Sequence, residues 1–214
     1  MPTPSRPIRP IRLYGNPISG HVHRVRLFLT LLDLPFEEIE IDFASGEHKR
    51  PEFVAISPFG QLPVIEDGAV TLADSNAILV YLALTYDTSR RWLPADVRTQ
   101  AEVQRWFSVA AGPLAYGAAS ARVTALFKRP DNPQARQTAA AVFEVMERHL
   151  AAREWLATPQ ATIADLSMYT YTAHAPEGGV ALEPWPHLQA WLRRVEALPG
   201  FVGMVRSPLP GQPA

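Results

Sequence analysis

The first part of the chain alternates between short β-type patterns and a longer helical pattern. Ile11-Arg12-Leu13-Tyr14 alternates apolar and polar positions and stops at the turn residues Gly15-Asn16-Pro17, which predicts a strand and a turn. Apolar residues then recur at helical spacing and predict a helix over about residues 19–33, and residues 36–41 alternate as a second strand. Because strand, helix and strand follow so closely, we expect a parallel pair with a right-handed crossover.

A hairpin and another helix follow. Val64-Ile65 and Val70-Thr71-Leu72 flank Asp67-Gly68, and an Asp-Gly pair between apolar runs favours a tight β-turn. From Asp74 onward, apolar residues at helical spacing predict a helix. This order of elements predicts a thioredoxin-like α/β domain over residues 11–87, preceded by a disordered tail at residues 1–10.

The second half of the chain carries helical patterns only. A polar linker is predicted at residues 88–97, and an all-helical domain at residues 98–207. Thr162-Ile163-Ala164-Asp165 fits a capping box at the start of one of these helices. Pro113 and Gly117 interrupt another, so we expect a break there. The predicted helices cover about residues 98–117, 134–154, 162–174 and 186–197.

Composition narrows the classes of function. The 214 residues carry a net charge of −1, which leaves no electrostatic footprint for nucleic acid. No apolar run approaches the roughly 20 residues of a membrane helix, and the proline-rich start has no apolar core of a secretory signal, so we expect a cytoplasmic protein. The chain has no cysteine, which excludes disulfides and thiolate metal sites. No His/Asp/Glu spacing predicts a metal either.

Two short motifs carry the candidate chemistry. In Gly60-Gln61-Leu62-Pro63-Val64 a proline stands at the start of an apolar strand, where it has no N–H to donate to the sheet. A cis bond at Pro63 would turn the backbone N–H and C=O of Leu62 outward, where a peptide-like ligand can pair with them. Asp74-Ser75 opens the next helix and offers a carboxylate, a hydroxyl and free N–H groups to an amino-acid terminus. Together the motifs predict a site for a small zwitterionic peptide, and glutathione is the obvious candidate.

Five patterns in the same order carry a family resemblance. The chain resembles the cytosolic glutathione transferases, in particular the bacterial serine-type (phi/theta/nu-like) classes, over residues 11–201. The patterns are Leu13-Tyr14 through Ser19-Gly20, His48-Lys49 with Pro51-Glu52-Phe53, Gly60 through Val64, Asp74-Ser75-Asn76-Ala77-Ile78, and Thr162 through Asp165. The resemblance implies a thioredoxin-like N-terminal domain with an all-α C-terminal helical-bundle domain.

The resemblance also implies roles for individual residues. Leu62, before a cis Pro63, pairs its backbone with the cysteinyl unit of glutathione. Asp74 and Ser75 hold the γ-glutamyl end, with Gln61 beside it. His48 and Lys49 lie where the glycyl carboxylate binds. Most relatives have glutamate in place of Asp74, and bacterial relatives commonly have asparagine in place of His21.

Ser19 is the implied catalytic hydroxyl, and each assignment has an ordinary structural alternative. Serine is also a favoured helix N-cap, and Tyr14 is the rival because other transferase classes use a tyrosine of the first strand. His48 and Lys49 fit a solvated loop equally well. Pro113 and Tyr116, at the expected helix break, are the candidates for the edge of a substrate pocket.

The implied reaction is glutathione conjugation to a small hydrophobic electrophile by a homodimeric detoxification enzyme that needs no metal. Three alternatives remain open. One is glutathione-dependent reduction of a peroxide or disulfide without an enzyme cysteine, and another is reductive dehalogenation or isomerisation with glutathione as cofactor at the same site. The third is a non-enzymatic interaction module, because fold alone does not fix function.

Overall fold

A computed structural model describes residues 6–207 of the chain and divides them into two compact units. The first comprises residues 6–94 with Leu198–Met204, and the second comprises Ala95–Ala197 with residues 205–207. Residues 1–5 of the predicted disordered tail lie outside the described residues. Residues 6–10 contain no helix or strand, and Arg6 forms an ion pair with Asp33.

The first unit is built on a four-stranded mixed sheet. Its strands are β1 (Ile11–Gly15), β2 (Phe36–Glu40), β3 (Val64–Asp67) and β4 (Val70–Ala73), in the spatial order β2-β1-β3-β4. β1 and β2 are parallel, whereas β3 is antiparallel to both β1 and β4. This arrangement confirms the predicted thioredoxin-like domain, including its crossover and its hairpin.

Three helices accompany this sheet. They are α1 (Gly20–Leu31), α2 (Pro51–Val54) and α3 (Ser75–Tyr86), and a 3₁₀ turn (Glu47–Lys49) precedes α2. Ser19 and Asp74 cap the N-termini of α1 and α3 with their side chains, as serine and aspartate do in many helices. The apolar face of α1, including Val25 and Phe28, is completely buried.

Among its described residues, the second unit contains helices and no strand. Its helices begin at residues suited to helix starts: Asp96, Asn132 and Thr162 cap them with side-chain oxygens, and Pro186 occupies the first turn of the last one. The α-helices are α4 (Val97–Val109), α5 (Ser120–Leu126), α6 (Pro133–Leu150), α7 (Ile163–Ala173) and α8 (Pro186–Glu196), with a 3₁₀ turn at Ala175–Gly178.

The helix predicted over residues 98–117 is part of a longer, kinked run. A π-helical segment (Ala110–Ala119) follows α4 directly and leads into α5. Gly112 leaves helical geometry with φ −102° and ψ −106°, and Pro113 follows it. The expected break is present, but the chain resumes the helix beyond it instead of ending at Gly117.

Two aromatic residues lie at the centre of the second unit. Trp106 of α4 and Trp191 of α8 are almost completely buried. The Trp191 indole N–H donates to Asp165 at 2.9 Å, and Asp165 completes the predicted capping box with Thr162. Within residues 6–207, no helix has both the length and the apolar character to cross a membrane.

Candidate functional site

Strand pairing brings the predicted site segments of the first unit to one end of the sheet. Tyr14 of β1 lies opposite Val64 of β3, and Val64 lies opposite Ala73 of β4. β1 therefore ends where β3 begins and where β4 ends. The segment after β1 contains Ser19, the segment before β3 contains Leu62-Pro63, and the segment after β4 contains Asp74-Ser75. These three segments consequently meet at this end of the sheet, which we call the site edge.

The turn that leads into β3 is held by Ser57, a residue that the sequence analysis did not single out. Its hydroxyl donates to the Gln61 carbonyl at 2.8 Å and accepts from the Gln61 N–H at 3.0 Å. Gly60 has φ +59°, a left-handed conformation that favours glycine. The Leu62–Pro63 peptide bond that follows is cis. Leu62 and Pro63 are buried at the start of the strand, while the side chain of Gln61 lies in an exposed position.

The 3₁₀ turn with His48 and Lys49 contacts this same loop. Lys49 Nζ lies 3.4 Å from the Phe59 carbonyl oxygen, and a Cβ at Gly60 would lie only 2.6 Å from the His48 carbonyl oxygen. The His48 ring packs against Phe43 with 4.5 Å between centroids. Among the described residues, buried His48 Nδ1 has no hydrogen-bond partner. The structure thus brings His48 and Lys49 to the loop that carries Gln61, Leu62 and Pro63.

The N-terminus of α3 has an unusual backbone. Asp74 has φ 73° and ψ 120°, a conformation that costs a non-glycine residue about 1–3 kcal/mol and is concentrated at functional sites. Its Oδ1 accepts from the N–H groups of Asn76 and Ala77, both at 2.9 Å. Asp74 is exposed, whereas Ser75 is only 4% exposed. Asp74 therefore acts as a helix cap through one oxygen and keeps its second oxygen in an exposed position.

Two residues of α1 lie beside Ser75. Arg24 is completely buried, and its guanidinium donates to Ser75 Oγ at 3.2 Å and to Asn76 Oδ1 at 3.1 Å. His21 Nδ1 lies 3.4 Å from Ser75 Oγ. Burial, together with the charge of Arg24, lowers the pKa of His21 to about 3, so this ring is neutral at physiological pH. Arg24 could not be identified from the sequence, because an arginine in a helical pattern is typical of an exposed face.

Ser19 is half-buried at the start of α1, and its Oγ accepts from the Val22 N–H at 3.4 Å. A hydroxyl has one proton to donate and two lone pairs, so capping the helix leaves the proton of Ser19 for another acceptor. Capping and donation to a ligand are therefore compatible in Ser19.

The close approach of α1 to β1 requires glycine at position 15, since a Cβ there would lie 2.3 Å from Val22 Cγ1.

Tyr14, the rival of Ser19, has its hydroxyl engaged on the sheet. It donates to Glu66 Oε2 at 2.8 Å, and the Arg12 guanidinium lies 5.0 Å from its ring centroid. Burial and the neighbouring Glu66 carboxylate raise the pKa of Tyr14 to about 12. The phenol proton is thus already used by a carboxylate.

Pro113 and Tyr116, the candidate pocket residues, belong to the second unit. Both lie in exposed positions of the π-helical segment, and Tyr116 is 74% exposed. Their role at the edge of a substrate pocket stays a prediction. The described residues contain no group of three or more His, Cys, Asp or Glu side chains that could hold a metal ion.

Comparison with known proteins identifies the family. Residues 9–84 match the model of the glutathione S-transferase N-terminal domain, and residues 98–199 match that of the glutathione S-transferase C-terminal domain. Glutathione S-transferase 3 of Zea mays is 33% identical over 96% of this chain and 98% of its own length. Glutathione S-transferase GstB of Escherichia coli K12 is 28% identical over 93% of this chain and 99% of its own. The crystal structure of a glutathione S-transferase from Pseudomonas fluorescens Pf-5 covers 92% of this chain and 100% of its own, with 31% identity and a TM-score of 0.87. The chain belongs to the glutathione S-transferase family.

Proposed function

We propose that this protein binds glutathione at the site edge and stabilises its thiol as the thiolate. The protein then conjugates glutathione, through this sulfur, to a small hydrophobic electrophile. The observation that carries the proposal is the strand register, which gathers Ser19, the Leu62–Pro63 bond and the Asp74-Ser75 helix start at one end of the sheet. Each of these three elements offers a different hydrogen-bonding function to a tripeptide.

The backbone of Leu62 would pair with the cysteinyl unit as an added strand does. The Ser75 hydroxyl and the N-terminus of α3 suit the γ-glutamyl carboxylate, and the exposed Asp74 oxygen suits the amino group. At the other end of the ligand, His48 offers an imidazole and Lys49 offers a cation to the glycyl carboxylate. The contact of these two residues with the Phe59–Gly60 turn supports this orientation of the ligand.

The proposed chemistry requires a lower thiol pKa. A thiol with a reference pKa of about 8.5 is only a few per cent ionised at neutral pH, and the thiolate is the nucleophile. Lowering the pKa by about two units requires roughly 2.7 kcal/mol of preference for the anion. A hydrogen bond from Ser19 to the sulfur contributes about 1.5–3 kcal/mol, and the N-terminal dipole of α1 adds up to about 1 kcal/mol. Ser19 therefore acts as a donor to an anion and forms no covalent bond.

Ser19 is preferred over Tyr14 on two observations. The Ser19 hydroxyl uses a lone pair, not its proton, to cap α1. In contrast, the Tyr14 hydroxyl donates its proton to Glu66, and a thiolate would have to compete with a carboxylate for it.

Calorimetric titration with reduced glutathione tests the binding site. We expect a dissociation constant in the millimolar range or below for the wild-type protein, and a loss of about tenfold or more in Ser75→Ala, because a hydrogen bond to a charged group is removed. Ser108→Ala is the matched control, since Ser108 is an exposed serine of α4 whose hydroxyl donates to the Gln104 carbonyl. Absence of glutathione binding by the wild-type protein would contradict the proposal and favour a non-enzymatic interaction module.

Turnover assays then assign the reaction. We expect glutathione-dependent conjugation of an aromatic halide or epoxide, with the product detected by mass spectrometry. Turnover of a peroxide or a disulfide, without conjugation, would keep the glutathione site and replace transfer by reduction as the reaction. The homodimer expected from the resemblance is checked by sedimentation velocity.

A further inference from the structure

A buried cation lies directly beneath the first two residues of α3. Arg24 is completely buried, and one guanidinium nitrogen, Nη1, reaches both Ser75 Oγ at 3.2 Å and Asn76 Oδ1 at 3.1 Å. A guanidinium stays protonated at every pH at which proteins fold. The positive end of the α3 dipole is thus reinforced by a full charge that the protein holds in place.

The contact with Arg24 also fixes what Ser75 can do. Because Ser75 Oγ accepts from a cation, its own proton must point away from the guanidinium, and a hydroxyl that accepts a hydrogen bond becomes a stronger donor. The neighbouring His21 ring is neutral at physiological pH, since burial and the Arg24 charge lower its pKa. Its Nδ1 is 3.4 Å from Ser75 Oγ, a long contact that a closer anionic acceptor would outcompete.

We infer that Arg24 is a positioning residue for glutathione, which acts through Ser75 to select a carboxylate at the γ-glutamyl end of the ligand. The inference rests on the proposed function. Arg24 does not touch the ligand. It orients the Ser75 proton toward the carboxylate, and its charge favours an anion over a neutral group of the same shape.

This role predicts a dependence on ligand charge that a merely structural role would not show. Two ligands are compared by calorimetry: reduced glutathione, and its analogue in which the α-carboxylate of the γ-glutamyl residue is a primary amide. The wild-type protein should bind glutathione about tenfold or more tightly than the amide analogue. In Arg24→Met, the affinity for glutathione should fall by about tenfold or more, while the affinity for the amide analogue changes by less than about threefold.

Kinetics give a second readout. Because the γ-glutamyl end lies away from the thiol, Arg24→Met should raise KM for glutathione and leave kcat at saturating glutathione within about threefold. Arg24→Lys, which keeps the charge, should recover part of the preference for the carboxylate. Arg26→Met is the matched control on the same helix, since the Arg26 side chain binds Glu38 instead. It should bind both ligands as the wild-type protein does.

The outcomes separate the two claims. If wild-type protein binds no glutathione, the proposed function fails. If it binds glutathione but Arg24→Met weakens both ligands equally or neither, the role of Arg24 is refuted and the proposed function stands. Thermal melts show whether Arg24→Met is folded. If Arg24→Met is not folded, the comparison of the two ligands on the wild-type protein decides. Equal affinities of the wild-type protein for glutathione and its amide analogue would contradict the inference that the site selects a carboxylate.

Discussion

At the scale of single residues, the structure makes the two interpretations of Ser19 compatible. From the sequence, Ser19 could be a helix cap or a catalytic donor, and the geometry allows its hydroxyl to be both. The Val22 N–H donates to a lone pair of Ser19 Oγ, so the Ser19 hydroxyl proton can still be donated to a ligand. A substitution at position 19 can therefore reduce stability and chemistry together, and the two effects need to be measured separately.

Comparing Ser19→Gly with Ser19→Ala separates them. Glycine at an N-cap costs only a few tenths of a kcal/mol, whereas alanine costs about 1 kcal/mol. Both variants lose the hydroxyl, so we expect both to lower kcat/KM for conjugation by about 10- to 100-fold, while only alanine lowers the melting temperature clearly.

The control for this comparison is Tyr14→Phe, which removes a hydroxyl bound to Glu66. Its kcat/KM should stay within about threefold of the wild-type value. A large loss in Tyr14→Phe with full activity in Ser19→Gly would exchange the roles of the two residues.

At the scale of the elements, helix starts were the most predictable feature. Serine, aspartate, asparagine and threonine caps act within three residues of themselves, so Ser19, Asp74 and Thr162 could be identified without any knowledge of the fold. The kinked run around Gly112 was less predictable. Proline and glycine indicate an interruption, but packing decides whether the helix resumes, and here α6 lies so close that a Cβ at Gly117 would be 2.7 Å from Ala139 N.

The capping box of α7 gives a prediction at this scale. Asp165 is completely buried and accepts from the Leu156 and Thr162 N–H groups and from the Trp191 indole. Asp165→Asn replaces one acceptor oxygen by a donor and leaves a buried N–H unpaired, so the free energy of unfolding should fall by about 1–3 kcal/mol. Urea unfolding measures it. Asp131→Asn, in an exposed pair with Arg136, should change it by less than about 1 kcal/mol.

At the scale of the whole molecule, the second unit contains a buried ionic cluster that the sequence did not reveal. Arg122 donates to Glu177 Oε2 at 2.6 Å, and His174 Nδ1 lies 2.5 Å from Glu177 Oε1. All three side chains are almost completely buried. Despite burial, which acts in the opposite direction, the hydrogen bonds and charges of His174 and Arg122 lower the pKa of Glu177 to about 2.

This cluster makes stability depend on acid pH. The folded-state pKa of Glu177 lies below the unfolded value, so its contribution is complete above about pH 4.5 and is lost as pH falls toward 2. Glu177→Gln leaves Arg122 buried without its carboxylate and should lower the free energy of unfolding at pH 7 by about 3–5 kcal/mol. Melting temperatures at pH 7 and pH 3 should therefore differ less in Glu177→Gln than in the wild-type protein.

Glu144→Gln is the matched control, because Glu144 pairs with Arg148 on the surface of α6 and exposed pairs contribute little. The melting temperatures of Glu144→Gln should match those of the wild-type protein at pH 7 and at pH 3. If the melting temperatures of Glu177→Gln and the wild-type protein fell equally between pH 7 and pH 3, Glu177 would be excluded as the source of the acid sensitivity.

The limits of sequence reasoning follow from how far each interaction reaches along the chain. The α/β order, the hairpin and the motif at Leu62-Pro63 depend on neighbouring residues and were predictable. Ser57 and Arg24 act on Gln61 and Ser75 through tertiary contacts, and Arg122 acts on a residue 55 positions away. Charged residues are usually exposed, so no local pattern marks these arginines as buried.

The measurement that tests the central claim most directly is a pH titration of glutathione bound to the saturated protein, followed by the ultraviolet absorbance of the thiolate. We expect a midpoint about two units below the reference thiol pKa of about 8.5 in the wild-type protein, and a midpoint at least about one unit higher in Ser19→Gly. A wild-type midpoint close to that of free glutathione, at saturating occupancy, would contradict the account, because binding would then occur without stabilisation of the thiolate.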